Sequence, residues 1–392
     1  GTSKLTAEQV SREFFRLGVD LNVSADEEET RLSINGPTSN FAAAVELFEN
    51  LLSDIQPDQK ALNALVDREI KLRADAKLDK QTVLWDGLWN YAVYGKRNPF
   101  NDVISESQLR KLRAAKLTEI IRNLRNYRHD ILYYGTETPE RVAAAVRYPS
   151  GEITLRGRGG VTEVPIARAE YPPAKNYPRT EQKEDVIYFV NEDMVQAEII
   201  WLRKGSTFDA QKWPTVEFFN EYYGGGMGAV VFQTIRESRA LAYSSFARYD
   251  TPDRVADPAY SLAYLGTQAD KVDEAVGAMR DLIRTMPRSE SAFTSAREAI
   301  RNQIANDRTI RYEVLDSYLA MRRLGIDHEL RRDVWAGLDN VSFDDIARFH
   351  SEQFGDRPFV MAIIGSRDRI DMKALARHGR IVEVTDKELF GY

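Results

Sequence analysis

The strongest constraint on how this sequence can fold is a duplication. One series of elements occurs twice: a hairpin of alternating residues, an Ala- and Leu-rich amphipathic helix (Phe41 to Leu52; Val272 to Leu282), a charged helix, then a Ser-capped helix feeding an apolar strand that ends in glycine. Ser105 answers Ser342 and Gly135 answers Gly365, an offset of roughly 230 residues, too long for a solenoid repeat and suited to two copies of one domain. The expected architecture is therefore α+β: two tandem related domains at 1–148 and 185–392, each a mainly antiparallel sheet backed by helices. The stretch 149–184 reads as a linker, because five prolines and four glycines crowd between Tyr148 and Asp185. The second copy opens with two strands and a helix before its Gly-rich run, whereas the first begins in mid-unit at Thr6. About 45 residues of the first copy are thus expected upstream, and its sheet is expected to lack one or two strands; bare strand edges left in this way need cover.

Local signals fill in the units. Thr6 and Gln9 have capping-box spacing before Val10, Phe14 and Leu17, and Gly18 stops the helix. Leu21 and Val23, then Leu32 and Ile34, alternate as a hairpin. Helical periodicity runs through 41–52, 61–70, 84–93 and 109–124, the last after the caps Ser105 and Ser107. Ile131 to Tyr134 reads as a strand headed by His129, and 139–146 as a short helix. In the second half, strands are predicted at 186–190, 195–202, 241–249, 260–265 and 358–365, and helices at 209–223, 272–286, 290–306, 314–324 and after Ser342.

Composition excludes several chemistries. The chain has 392 residues and a formal charge of −6, which argues against broad electrostatic capture of nucleic acid or anionic membrane. No apolar run approaches the length needed to span a bilayer. With no cysteine, disulfides, thiolate metal sites and cysteine nucleophiles are ruled out. The four histidines, His129, His328, His350 and His378, include no pair three or four apart, so each reads as a surface or packing residue. Gly1-Thr2-Ser3-Lys4 shows none of the apolar core of an export signal.

The most distinctive stretch runs from Tyr222 to Tyr243 and contains Gly224-Gly225-Gly226-Met227-Gly228, Phe232, Arg236-Glu237 and Leu241-Ala242-Tyr243. A phosphate-cradling loop would follow a strand and end in Gly-Lys-Ser or Gly-Lys-Thr; here a helix precedes and no lysine follows. The simplest reading of the glycines is a tight turn between two helices. The whole stretch, however, resembles the pitrilysin or insulinase-type (M16) zinc peptidases, which include the mitochondrial processing peptidases and the core subunits of the respiratory bc1 complex. Members show Leu-Gly-Gly-Gly, small residues, Leu-Phe, Arg-Glu, two variable residues and Gly-Leu-Ala-Tyr before a strand. This chain matches at Gly224 to Gly226, Phe232, Arg236, Glu237, Leu241, Ala242 and Tyr243, and departs at Ala240, where the family favours glycine. Gly1-Thr2, Gly18 and Asn22 also resemble family positions.

The resemblance implies a LuxS/MPP-like metallohydrolase fold, with two domain pairs closing like a clam shell around a peptide chamber. Zinc sits in the other pair, on a His-x-x-Glu-His helix just upstream of the Gly-Thr plus a distal glutamate. No His-x-x-Glu-His occurs in this chain; Glu69 lies near the place of the distal ligand but alone reads as a solvated carboxylate. No cofactor is expected in this chain, with zinc in a missing or partner catalytic half. By the same resemblance Arg236 and Tyr243 reach the substrate backbone and oxyanion, with Gly224, Gly225, Gly226 and Phe232 beside them. The bland alternative pairs Arg236 with Glu237 or Glu217 and leaves Tyr243 as an amphipathic strand residue. The expected function is the zinc-free C-terminal half of a peptidase, inactive alone; a non-catalytic subunit that binds peptides or scaffolds a partner is the alternative. Expected partners are a peptide or unfolded polypeptide and a catalytic half, and bacterial members of this kind are often in the cell envelope. An extended peptide could add to a free strand edge, though the residues do not say which.

Overall fold

The computed structural model describes residues 1–26, 28–127, 129–146, 155–157, 160–162, 173–311 and 313–392. These fall into two compact units that do not follow chain order: residues 1–73 with 104–176, and residues 74–103 with 177–392.

In the N-terminal unit the Thr6 hydroxyl accepts from Gln9 N while the Gln9 side chain accepts from Thr6 N, which starts the helix Ala7–Leu17. Gly18 ends it in the left-handed region, φ 65°. Strands β1 (Asp20–Ala25) and β2 (Thr30–Asn35) pair antiparallel, and helices Phe41–Asp54 and Gln59–Ala76 follow. Val10, Phe14, Leu17, Val19 and Ala44 form one small core and Leu62, Val66, Leu109 and Ala114 another. Two expectations fail here. The helix expected over 109–124 is broken into Glu106–Leu109, capped by Ser105, and Ala114–Asn123. Gln59 holds the break: its Oε1 accepts from Ala114 N at 3.0 Å and its Nε2 donates to Leu112 O at 3.2 Å. Ile131 to Tyr134 joins no strand pairing among the described residues. Tyr133 instead packs its ring on Phe41, centroids 5.2 Å apart, and its hydroxyl accepts from Glu137 N. Part of the expected linker, Leu155–Gly157 (β3) and Gly160–Thr162 (β4), forms a short antiparallel pair.

The C-terminal unit is built on a six-stranded sheet of β5 (Val186–Asn191), β6 (Gln196–Thr207), β7 (Ser244–Asp250), β8 (Pro258–Gln268), β9 (Val360–Gly365) and β10 (Arg380–Glu383), in the order β10-β5-β9-β6-β8-β7. The two pairings of β5 are parallel and the other three antiparallel, so the fold is α+β with a mainly antiparallel sheet. Strand β10 was not anticipated from the sequence, nor were the helices Leu330–Gly337 and Asp386–Phe390. Alternation along β6 sends Ile199 and Trp201 into a large core under the helices Trp213–Tyr223, Val272–Arg284, Glu290–Asn306 and Phe343–Gln353. Ile200 and Leu202 point the other way, against Leu84, Leu88, Tyr91, Leu389 and Phe390. The second face is thus covered by the π-helical turn Thr82–Leu88 and the helix Trp89–Tyr94, brought from early in the chain. Gly87 makes the close fit possible, since a Cβ there would lie 2.7 Å from the Leu389 side chain.

Candidate functional site

The Gly-rich stretch hangs from the helix Trp213–Tyr223, which buries Val216, Phe218, Phe219, Tyr222 and Tyr223 and is thereby fixed on the sheet. Its next-to-last turn fences the outer strand. Tyr249 N donates to Asn220 Oδ1 at 2.7 Å, and Asn220 Nδ2 donates to Tyr249 O at 3.1 Å. One amide side chain satisfying both backbone groups of a residue on β7 takes the place a further strand would occupy. Gly224 follows against the same edge: an added Cβ would lie 1.8 Å from Ala247 O. None of Gly224, Gly225, Gly226 and Gly228 is left-handed. Glycine is therefore required at 224 by close approach to a strand, whereas Gly228 faces open space.

After the loop, Val230–Phe232 continues into a π-helical turn, Gln233–Ser238, anchored by the buried Val231 and Ile235. Arg236 points outward. Its Nε is 3.7 Å from Glu237 Oε1 and its guanidinium lies 5.0 Å from the Phe232 ring centroid, a loose ion pair and a cation–π contact that leave the side chain half exposed. The pairing with Glu237 foreseen as the bland alternative is present; Glu217 has a different environment, its carboxyl held above the usual range first by burial and then by Glu221. Ala240 turns the chain with φ 49°, its N–H donating to Arg236 O at 3.1 Å. The position where glycine was expected is thus a left-handed one, which costs an alanine about 1 kcal/mol. Leu241 is buried, Tyr243 N donates to Gly266 O at 2.8 Å, and β7 begins. The Tyr243 ring, 77% exposed, stands at the head of that strand.

The segment therefore offers solvent a permanent cation and a phenol from one braced turn. Both are hydrogen-bond donors suited to a carbonyl or to charge developing on its oxygen. Neither lines the small cavities around Trp201 and around Trp213.

The remaining candidates are held by other contacts. Glu69 is paired with Arg73 at 3.0 Å. His129 meets Tyr127 O, and His378 donates from Nε2 to Asp273 at 2.8 Å. His328 sits between Asp327 and Asp333, 2.8 and 2.6 Å away, which raise its pKa. His350 is buried against Phe354 and Tyr223 and donates to Leu282 O; burial lowers its pKa to about 4. Among the described residues no three His, Asp or Glu side chains converge as a zinc site requires, so no step is assigned to a metal in this chain.

Comparison with known proteins adds to this geometry. Residues 131–299 match the sequence profile of the peptidase M16 inactive domain. YmxG of Bacillus subtilis (strain 168), described as an uncharacterized zinc protease, is 24% identical over an alignment of 305 positions that covers 74% of this chain and 66% of that protein. A peptidase M16 inactive domain from Pseudomonas fluorescens shares the fold with a TM-score of 0.63 at 13% identity, over 93% of this chain and 85% of that one. The ferredoxin protease FusC, solved in complex with Arabidopsis ferredoxin, gives a TM-score of 0.65 at 13% identity over 93% of this chain but 39% of its own. The chain thus spans about two fifths of FusC and just under two thirds of YmxG.

Proposed function

We propose that this chain, a relative of the peptidase M16 family on the side of its inactive C-terminal half, forms the zinc-free wall of a peptidase chamber and holds the substrate through Arg236 and Tyr243. One observation carries the reading: an exposed guanidinium and an exposed phenol lie seven residues apart on a turn braced by buried Val231, Ile235 and Leu241, within the stretch that matches the family's inactive domain. Hydrolysis of an amide passes through a tetrahedral species whose oxygen bears negative charge. Donors held ready for that oxygen need no reorganisation as the charge forms, which is why they accelerate the step more than they tighten binding. Arg236 supplies fixed charge, and Tyr243 an O–H able to donate either to the oxyanion or to a neighbouring carbonyl of the peptide. Zinc bound in a catalytic half would supply the activated water. The fence of Asn220 and Gly224 along β7 directs the substrate to the head of that strand, at Tyr243, and away from its far end. A polypeptide substrate is in keeping with the protein ligand in the FusC complex.

The test is Arg236→Ala and Tyr243→Phe in the protein together with its catalytic half. Each is expected to lower kcat for a fluorogenic peptide by about 10²–10³-fold with zinc content unchanged. Unchanged turnover in both variants sinks the assignment. Absence of peptidase activity with any catalytic half, alongside retained peptide binding, turns the reading to a non-catalytic subunit.

A further inference from the structure

A cavity of about 20 Å³ in the C-terminal unit, where the turn 355–359 meets β6 and the helix Val272–Arg284, is lined by Trp201, Arg280, Arg284, Arg357 and Phe359, with Asp185 and Asp356. It has room for one guest the size of a water molecule or a monatomic ion. Both carboxylates are already engaged. Asp185 accepts from Arg280 at 2.8 Å and from Phe359 N at 2.9 Å, and Asp356 pairs with Arg284 at 2.9 Å. The rest of the wall is apolar, from Ile283, Phe359 and Met361, except for the Trp201 indole and the Arg357 guanidinium. Trp201 is 1% exposed and its indole N–H is buried without a partner among the described residues, a state that costs free energy unless something accepts the hydrogen. Arg203, two residues along β6 on the same face, is also buried; its guanidinium donates to the carbonyl oxygens of Phe354 and Glu352 and lies 4.8 Å from the Phe359 ring centroid. Among the described residues no carboxylate is within ion-pair distance of it or of Arg357. Burial, followed by the charge of Arg357, lowers the Arg203 pKa to about 10, as expected of a buried cation lacking a counter-charge.

We propose that this cavity binds a small monovalent anion, chloride by size, which accepts from Trp201 Nε1 and balances the charge of Arg357 and Arg203. Water could accept the indole hydrogen but would leave the charge of the buried Arg203 unbalanced, so the two guests predict different salt responses.

The experiment follows thermal unfolding of the full chain at constant ionic strength while chloride replaces gluconate, which is too large to enter. Chloride should raise Tm by about 2–4 °C and the rise should saturate. Arg357→Ala, at an exposed position that leaves the core untouched, and Trp201→Phe should each abolish the rise. Crystals soaked in bromide should show anomalous density at Trp201 Nε1. Equal Tm in the two salts means water fills the cavity and overturns the proposal. A shift that persists in either variant reflects chloride acting elsewhere on the chain and overturns it as well, as does a bromide-soaked crystal with no density at the indole.

Discussion

The hairpin β1–β2 and the sheet that carries β7 are made from the same alternation of residues but are protected very differently. In the hairpin most side chains are exposed, Val23 to 64%, and only Leu21, Leu32 and Ile34 turn partly inward. In the sheet β6 is buried on both faces and the outer strand β7 has its edge occupied by Asn220 and Gly224. The difference shows that alternation alone does not set the stability of a strand. Cover does: apolar helices on the faces, and an amide or a close backbone on the edge.

Three changes break or sharpen this contrast. The largest effect should come from Gly224→Ala, whose Cβ would overlap Ala247 O and push the fence away from β7. A loss of about 3 kcal/mol is expected by urea unfolding, with amide exchange at Ala247 and Tyr249 rising toward that of β1–β2, while Gly228→Ala changes stability by less than about 0.5 kcal/mol. Equal effects of the two substitutions would show that the edge is not fenced by contact. Next is acid. Because the buried His350 has its pKa lowered to about 4, the unfolded chain binds a proton between that value and its ordinary 6.5 that the folded chain does not. Stability is therefore complete above pH 6.5 and falls as pH drops toward 4, by about 3 kcal/mol. His350→Gln, which keeps a donor for Leu282 O, should flatten the acid limb of the stability profile; an unchanged limb refutes the assignment to this histidine. The smallest effect is a gain. Ala240→Gly removes the left-handed strain and should raise stability by about 0.5–1 kcal/mol, read as a higher urea midpoint at constant slope.

Elements whose signals are local were legible in the sequence. The capping box at Thr6, the caps at Ser105 and Ser342 and the helix stop at Gly18 stand where the sequence put them, and so do five of the six strands of the large sheet. What the sequence hid depends on distant partners. Ile131 to Tyr134 has the composition of a strand but no strand to pair with among the described residues, and Gln59 divides a periodic helix from 53 residues away. Strand β10 has only four residues, made a strand by its parallel pairing with β5. In the candidate site the motif residues were readable, and so was the loose Arg236–Glu237 pair. The reason for Gly224 was not, since it lies in the backbone of a strand 23 residues later. Asn220 was missed altogether; one amide three residues before a helix stop gives no warning that it will act as a strand partner.

The segment 74–103, which covers the second face of the large sheet, sets an order on biosynthesis. Leu84 and Leu88 leave the ribosome roughly 300 residues before Leu389 and Phe390, the groups that close over them. At 5–20 residues per second that is an interval of about 15–60 s. Throughout that time a greasy helix has no finished sheet to lie on. A chaperone or provisional shelter near the nascent chain would serve this protein most in that window, between the synthesis of Leu88 and that of Leu389.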